Sequence, residues 1–202
     1  VRGVPKMSVT LGQVAHAVAG VPGFAIPSGM EPGVEATHYF APDQSAYCNG
    51  THIAEVEVDI ETGHVVLVRY VIAHDSGNLI NPMIVEGQVQ GGFAHGVGNA
   101  LFEEQHYDDH ANPLTMTFAE YLLPAAGDVP DAETIHIESP SPLNPLGVKG
   151  AGEGGTIPAA ASIIAAVENA LAPFGVELSD VPVTPQKLVS LIAAGSSSRA
   201  AE

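Results

Sequence analysis

The sequence predicts an α+β fold with a β-hairpin, short strands and buried glycine-rich helices. Three observations lead there. Residues 52–73 alternate as a strand pair around a tight turn. Two long segments, one opening at Asn81-Pro82 and one near Thr156, repeat apolar residues at helical spacing. Strands and helices also lack a strict βαβ alternation, which argues against a doubly wound α/β sheet.

Taken in chain order, residues 8–19 predict a short helix, opened by Ser8 or by the box from Thr10 to Gln13. Residues 20–35 hold four Gly and three Pro and read as an extended connector. From His52 to Asp59, Ala54, Val56 and Val58 point one way and Glu55, Glu57 and Asp59 the other. Glu61-Thr62-Gly63 supplies the turn, and His64–Ala73 is a second strand rich in Val, Ile and Tyr. Leu114–Leu122 and Glu133–Glu138 are further strand candidates. Asn81 and Pro82 form an N-cap and first-turn pair, followed by Ile84, Val85, Val89, Phe93, Val97 and Leu101 on a helix. Thr156 or Gly155 caps a second helix that runs to about Leu171 and is apolar around most of its circumference, predicting deep burial. A last helix starts at Thr184-Pro185 and ends by Gly195, leaving 196–202 as a frayed tail.

Composition narrows the partners. Only 14% of the 202 residues are charged, which suggests that much of the surface is covered in a larger assembly. The 6 Lys+Arg against 23 Asp+Glu include no basic run, so nucleic acid and anionic membranes are poor partners. Anions remain possible ligands, because helix N-termini and glycine loops bind them through backbone N–H groups. A single cysteine, Cys48, excludes an internal disulfide and a self-contained Cys-ligated metal site. No apolar run is long enough for a membrane span, and residues 1–6 lack the apolar core of a signal peptide, so a cytoplasmic location is expected.

Two segments could carry chemistry. In Glu86-Gly87-Gln88-Val89-Gln90-Gly91-Gly92 several glycines interrupt a helix, each at a cost of about 1 kcal/mol relative to Ala. Tight helix packing would offset that cost, and so would a ligand lying on the helix beside the Gln88 amide. The second segment runs from Pro145 to Thr156. Its Gly150, Gly152 and Gly155 match G-x-G-x-x-G, but the approach Ser139-Pro140-Ser141-Pro142-Leu143-Asn144-Pro145 cannot be the buried strand that a dinucleotide fold requires. A Walker A loop fails for want of Gly-Lys-Ser/Thr. What is left is one acid, Glu153, among glycines at the mouth of a helix. It fits either a general base or a solvated helix-start charge. Nine histidines include no pair at His-Glu-x-x-His spacing; His106 and His110 read as a surface pair beside a turn. His74-Asp75-Ser76 offers the residue types of a hydrolytic triad, but sequence neighbours do not make that geometry. Cys48 reads as a small buried residue.

Together these segments resemble the xanthine dehydrogenase/aldehyde oxidase/carbon monoxide dehydrogenase superfamily of molybdenum hydroxylases. The matching pieces occur in the family's order: Gly50–Asp59, His74-Asp75-Ser76-Gly77 with Ile80-Asn81-Pro82, Glu86-Gly87-Gln88 with Gly91-Gly92, and Pro140–Glu153. The resemblance covers roughly residues 33–192 and corresponds to the C-terminal, molybdopterin-binding part of a large subunit. It implies residues 1–32 as an N-terminal helix and connector, 33–193 as the cofactor-binding domain and 194–202 as a flexible tail.

It further implies that Glu153 is the catalytic base beside the molybdenum, taking a proton as water-derived oxygen attacks the substrate carbon. Gly87, Gln88, Gly91 and Gly92 would contact the pterin, and Lys149, Gly150, Ala151 and Gly152 would present backbone N–H groups to the cofactor. Ala46, Tyr47, Cys48 and Asn49 match a further cofactor-contacting loop. No side chain would ligate the metal directly, since the pterin holds it. The implied cofactor is molybdopterin cytosine dinucleotide with molybdenum, with [2Fe-2S] clusters and FAD on partner chains or domains. The implied partners are the N-terminal part of the large subunit, an Fe-S subunit and an FAD subunit, in a dimer of heteromers. The substrate would be a small aldehyde, N-heterocycle or CO. Ser76 stands where many members have Cys. The loop that distinguishes substrates lies upstream in the family, so this stretch is expected to be active only with a completing chain. The alternative is a non-catalytic module that keeps the fold and binds partner subunits.

Overall fold

A computed structural model describes residue 4 and residues 6–199. The chain divides into two compact units, Val1–Ala41 and Pro42–Glu202.

In the first unit, helix α1 spans Leu11–Ala17. Of the two predicted starts, Thr10 is the one used. Its hydroxyl accepts from the Gln13 N–H at 3.2 Å, and the Gln13 side chain accepts from the Thr10 N–H at 2.8 Å. The helix is shorter than residues 8–19 and buries no residue.

The second unit is built on strands β1 (Asn49–Val58), β2 (Val65–Asp75) and β3 (Glu133–His136), in the order β1-β2-β3. The predicted hairpin pairs β1 with β2 antiparallel, and β3 joins β2 in parallel. Asp59 makes the turn: its carboxylate accepts from the N–H groups of Glu61 and Thr62 at 2.9 and 3.1 Å. Gly63 closes it at φ +73°, and a Cβ there would lie 2.2 Å from the Pro185 carbonyl oxygen. A register shift at Glu55/Val56 leaves Val68 unpaired and resets the alternation of β2. Beyond it Tyr70, Ile72 and His74 all point inward.

Helix α2 (Pro82–Leu101) is capped by Asn81, whose side chain accepts from the Ile84 N–H at 3.2 Å. With α3 (Ala159–Leu171) it closes the core on the inner face of the sheet. Tyr70 stacks on Phe93 with ring centroids 4.1 Å apart, and Val89, Val97, Ile163 and Val167 are fully buried around them. Helix α4 (Pro185–Arg199) adds Leu188 and Ile192 to the same core.

Four expectations need correction. Leu114–Leu122 is not a strand: the Glu120 carboxylate accepts from the N–H groups of Met116 and Thr117 and from the Thr117 hydroxyl, which winds the segment into a turn. Neither Thr156 nor Gly155 caps α3. The Thr156 hydroxyl donates instead to the Gly92 carbonyl at 3.1 Å, and the helix opens after Pro158. Helix α3 is also buried along one stripe only, Ala159, Ile163, Val167 and Leu171, with Ala161 and Ala165 exposed. Helix α4 does not stop at Gly195. A Cβ there would lie 2.1 Å from the Phe174 carbonyl oxygen, so the glycine serves close packing rather than termination. The expected tail includes residues 200–202, which lie outside the described residues. No helix among the described residues is long and apolar enough to cross a membrane.

Candidate functional site

The site begins where β2 leaves the sheet. Successive strand residues point opposite ways, so His74 and Asp75 turn to different neighbours. The Asp75 carboxylate accepts from the Gly77 N–H at 2.9 Å, from the Ser139 N–H and hydroxyl at 3.2 and 2.8 Å, and from the Lys149 ammonium at 2.8 Å. Burial alone would raise its pKa, but the Lys149 ammonium, with the Gly77 and Ser139 donors, holds it well below the usual carboxylate range. Asp75 therefore bonds the 139–149 loop and accepts nothing from the His74 ring, so the residue types of a triad do not assemble.

That loop is tied down along its length. Asn144 brackets Val148, accepting from its N–H at 3.1 Å and donating to its carbonyl at 2.8 Å. The Asn78 N–H donates to the Gly147 carbonyl at 3.1 Å, and the Lys149 N–H to the Ser76 carbonyl at 2.8 Å. Gly77 at φ +70° permits this approach: a Cβ there would lie 2.2 Å from the Gly147 oxygen. The Gly150 N–H then donates to the Ala46 carbonyl at 2.8 Å, which joins the 46–49 strip to the 149–153 segment.

Past that point the backbone is released. The N–H groups of Ala151, Gly152 and Glu153 find no acceptor among the described residues. Glu153 is exposed, on a turn whose carbonyl accepts from the Thr156 and Ile157 N–H groups at 3.0 and 3.1 Å. The turn is packed from behind. A Cβ on Gly154 would lie 2.2 Å from the His74 ring, and one on Gly155 would lie 2.2 Å from the Val89 carbonyl oxygen.

Four of the five glycines of α2 divide between the two roles that the sequence left open, while a Cβ on the fifth, Gly98, would meet the Glu103 carboxylate and Pro124 beyond the helix end. Gly92 and Gly96 meet the segment from Thr156 to Ala159, where a Cβ would lie 2.9 Å from the Thr156 nitrogen and 2.3 Å from the Ala159 Cβ respectively. Gly87 and Gly91 face open space, with nothing within 4 Å of an added Cβ. They share an exposed face with Gln88, whose amide nitrogen lies 3.9 Å from a Cβ placed on Gly152. Gln88 and Gly152 are thus neighbours, as Ala46 and Gly150 are. Of the remaining predicted positions, Tyr47 is 80% exposed, Cys48 is a half-buried free thiol and Asn49 opens β1.

The sequence missed a polar cluster behind this surface. His136 Nε2 lies 2.8 Å from Glu86, and Gln90 donates to the same carboxylate at 2.9 Å. The Gln90 donor is the main reason that the Glu86 pKa is lowered; burial opposes it and His136 assists. His74 is 1% exposed and sits beside His136, the ring centroids being 6.4 Å apart. Burial, and then the neighbouring His136, push the His74 pKa down. The inward phase of His74 could be read along β2, but its pairing with His136 depends on the parallel register. Among the described residues no group of three His, Cys, Asp or Glu side chains is placed to hold a metal ion.

The model of the molybdopterin cofactor-binding domain family matches residues 1–130. The chain belongs to that family. As a molybdopterin-binding domain it is 43% identical over 163 residues to the nicotine 6-hydroxylase large subunit of Paenarthrobacter nicotinovorans, covering 81% of this chain and 20% of that protein. It is 38% identical over 162 residues to the carbon monoxide dehydrogenase large chain of Hydrogenophaga pseudoflava, covering 80% and 20%. The fold superposes on quinoline 2-oxidoreductase from Pseudomonas putida 86 with a TM-score of 0.86 at 40% identity, over 96% of this chain and 24% of that one. For carbon monoxide dehydrogenase from Oligotropha carboxidovorans the TM-score is 0.85 at 32% identity, over 98% and 24%. The chain spans about a fifth of the length of the curated relatives it matches. The family-model match ends before the loop that carries Glu153.

Proposed function

We propose that this molybdopterin-binding domain supplies one wall of the active site of a molybdenum hydroxylase, with Glu153 as the base. One observation carries the reading. Three segments far apart in sequence converge: the 46–49 strip, tied in by the Gly150 to Ala46 hydrogen bond; the α2 face with Gly87, Gly91 and the Gln88 amide; and the 151–153 loop, with N–H groups at Ala151 and Gly152 that are unpaired among the described residues and an exposed carboxylate at Glu153. Unpaired N–H groups suit phosphate and oxo acceptors, and two helix positions without a Cβ let a ring system approach the backbone beside Gln88. The residues present therefore fit a phosphate-bearing pterin.

In this reading Gln88, Gly87 and Gly91 hold the pterin, and Ala151 and Gly152 donate to its acceptors. Ala46, Tyr47, Cys48 and Asn49 border it. Gly92, Lys149 and Gly150 act by fixing the backbone, since their approach surface, ammonium and N–H are already engaged within the fold. When bound, the molybdenum cofactor supplies a water-derived oxygen and accepts two electrons. Glu153 removes the proton from the attacking oxygen, and the glycines beside it leave room for substrate.

The cytosine dinucleotide form of the cofactor belongs to the proposal, as do [2Fe-2S] clusters and FAD on partner chains or domains. So do an N-terminal large-subunit part, Fe-S and FAD subunits, a dimer of heteromers and a cytoplasmic location. The substrate is a small molecule of the aldehyde, N-heterocycle or CO class, consistent with relatives named for nicotine, quinoline and carbon monoxide. Glu153→Gln in the assembled enzyme tests the base. Turnover should fall by roughly 10²- to 10⁴-fold with molybdenum content near that of the parent. Turnover within a few-fold of the parent would refute the role.

A further inference from the structure

The tripeptide His74-Asp75-Ser76 takes no part in the chemistry assigned above, yet each of its residues holds the Glu153 loop, Asp75 and Ser76 at Lys149 and His74 at Gly154. The His74 ring backs Gly154, the Asp75 carboxylate binds Ser139 and Lys149, and the Ser76 carbonyl accepts from the Lys149 N–H. We propose that Asp75 and Lys149 are positioning residues. Their ion pair fixes where the chain releases the N–H groups of Ala151 and Gly152 and the carboxylate of Glu153, and the Lys149 ammonium is not a ligand of the cofactor. The inference rests on the reading of Glu153 given above.

Both side chains are only 12% exposed. The Lys149 ammonium is engaged twice, by Asp75 at 2.8 Å and by the Ser139 hydroxyl at 2.9 Å, and points to the base of the loop. Asp75 closes the sheet strand β2 directly after His74, which is 1% exposed, and three residues after the fully buried Ile72, so the anchor is rigid. From that anchor the chain reaches the Gly150–Ala46 hydrogen bond and then Glu153, with only Ala151 and Gly152 between. His74 braces the far end at Gly154. A segment this short, held at both ends, has little freedom to absorb a displacement of Lys149. A buried ion pair is a weak device for stability, because a well-packed apolar pair of similar volume often serves as well. Its directional bonds do specify one geometry. Misplacement of catalytic groups by about 1 Å can cost on the order of 100-fold in rate.

The test uses the assembled enzyme and measures molybdenum content, turnover per bound molybdenum and thermal stability. Asp75→Asn and Lys149→Met should each lower turnover per molybdenum by roughly 10- to 100-fold. The double variant should be no worse than either single one, because both remove the same bond. Lys149→Arg should recover part of the loss. Turnover per molybdenum within twofold of the parent in both single variants would overturn the inference, leaving a purely structural pair. Loss in Lys149→Met with Asp75→Asn unaffected would also overturn it, since that pattern marks a direct cofactor contact. If the single variants fail to assemble, Ser139→Ala decides. It removes one hydroxyl from the clamp and should lower turnover per molybdenum several-fold with assembly intact; unchanged turnover refutes the proposal. Glu153→Gln is run in parallel. If that variant remains active, the reading of the site has failed and this inference falls with it. If it is inactive while the clamp variants turn over normally, only this inference has failed.

Discussion

Adding one methyl group to neighbouring glycines of α2 should have opposite consequences. Gly91 is exposed with nothing within 4 Å of an added Cβ, so Gly91→Ala costs no packing within the chain. It should stabilise the helix by about 1 kcal/mol through propensity alone, equivalent to roughly 2–4 °C for a cooperative unit of about 150–250 residues. At Gly92 the new Cβ would lie 2.9 Å from both the nitrogen and the hydroxyl oxygen of Thr156 and 3.0 Å from the Gly155 carbonyl carbon. These are backbone atoms of the turn behind Glu153 together with a hydroxyl committed to the Gly92 carbonyl. Overpacking there should cost about 1–3 kcal/mol. Thermal unfolding of cofactor-free enzyme measures both effects. Cofactor content then separates them again. If the pterin lies on the Gly87–Gly91 face, the Gly91 methyl intrudes on it, and the same 1–3 kcal/mol corresponds to roughly 5- to 150-fold in affinity. Gly91→Ala should thus be more stable when empty and poorer in cofactor when loaded. A Gly91→Ala enzyme with full cofactor content and normal turnover would refute the assignment of that face.

Other consequences follow from the core and from the titrating groups. Ile163→Ala should lower stability by about 2–5 kcal/mol in denaturant titration, because Ile163 is fully buried between the sheet and α2; a loss under about 1 kcal/mol would contradict that packing. Burial, and secondarily the neighbouring His74, lowers the pKa of His52, and burial with His136 lowers that of His74. The unfolded chain therefore takes up protons first, near the ordinary value of about 6.5, and stability is lost as pH falls through that value toward the folded ones. Asp75 and Glu86 are also lowered, so their contributions persist above about pH 4 and are lost only on further acidification. The denaturation midpoint should accordingly fall between about pH 7.5 and 5.5, and a flat profile would show that the two imidazoles are not held neutral.

What could be read in advance was local. The hairpin turn rests on Asp59 and Gly63 and the α2 start on Asn81, and in each case a few adjacent residues settle the geometry. Errors arose where a side chain or a packing contact overrode the local pattern. Thr117 and Glu120 bond each other and the intervening backbone, so an apolar stretch that suited a strand became a turn. Gly195 resembled a helix stop because the Phe174 carbonyl, against which it packs, is invisible in the linear pattern. The site shows the same division. Glu153 and Gln88 stood out by their glycine setting. The contacts that place them, Asp75 to Lys149 and His74 to Gly154, join residues more than seventy positions apart and require the sheet register to be known. The α2 glycines fall between these cases: their cost was evident from composition, and only the packing could divide them into Gly92, Gly96 and Gly98 against neighbours and Gly87 and Gly91 against open space.

Whether these three segments form one wall of a molybdenum-cofactor site is tested most directly by the position of the cofactor in an experimental structure of the loaded enzyme. Cofactor acceptor atoms should lie about 2.7–3.2 Å from the Ala151 or Gly152 nitrogen, with ring atoms against Gly87 and Gly91 and the Glu153 carboxylate beside the metal. A cofactor bound elsewhere, with those N–H groups and Glu153 facing only solvent, would contradict that placement.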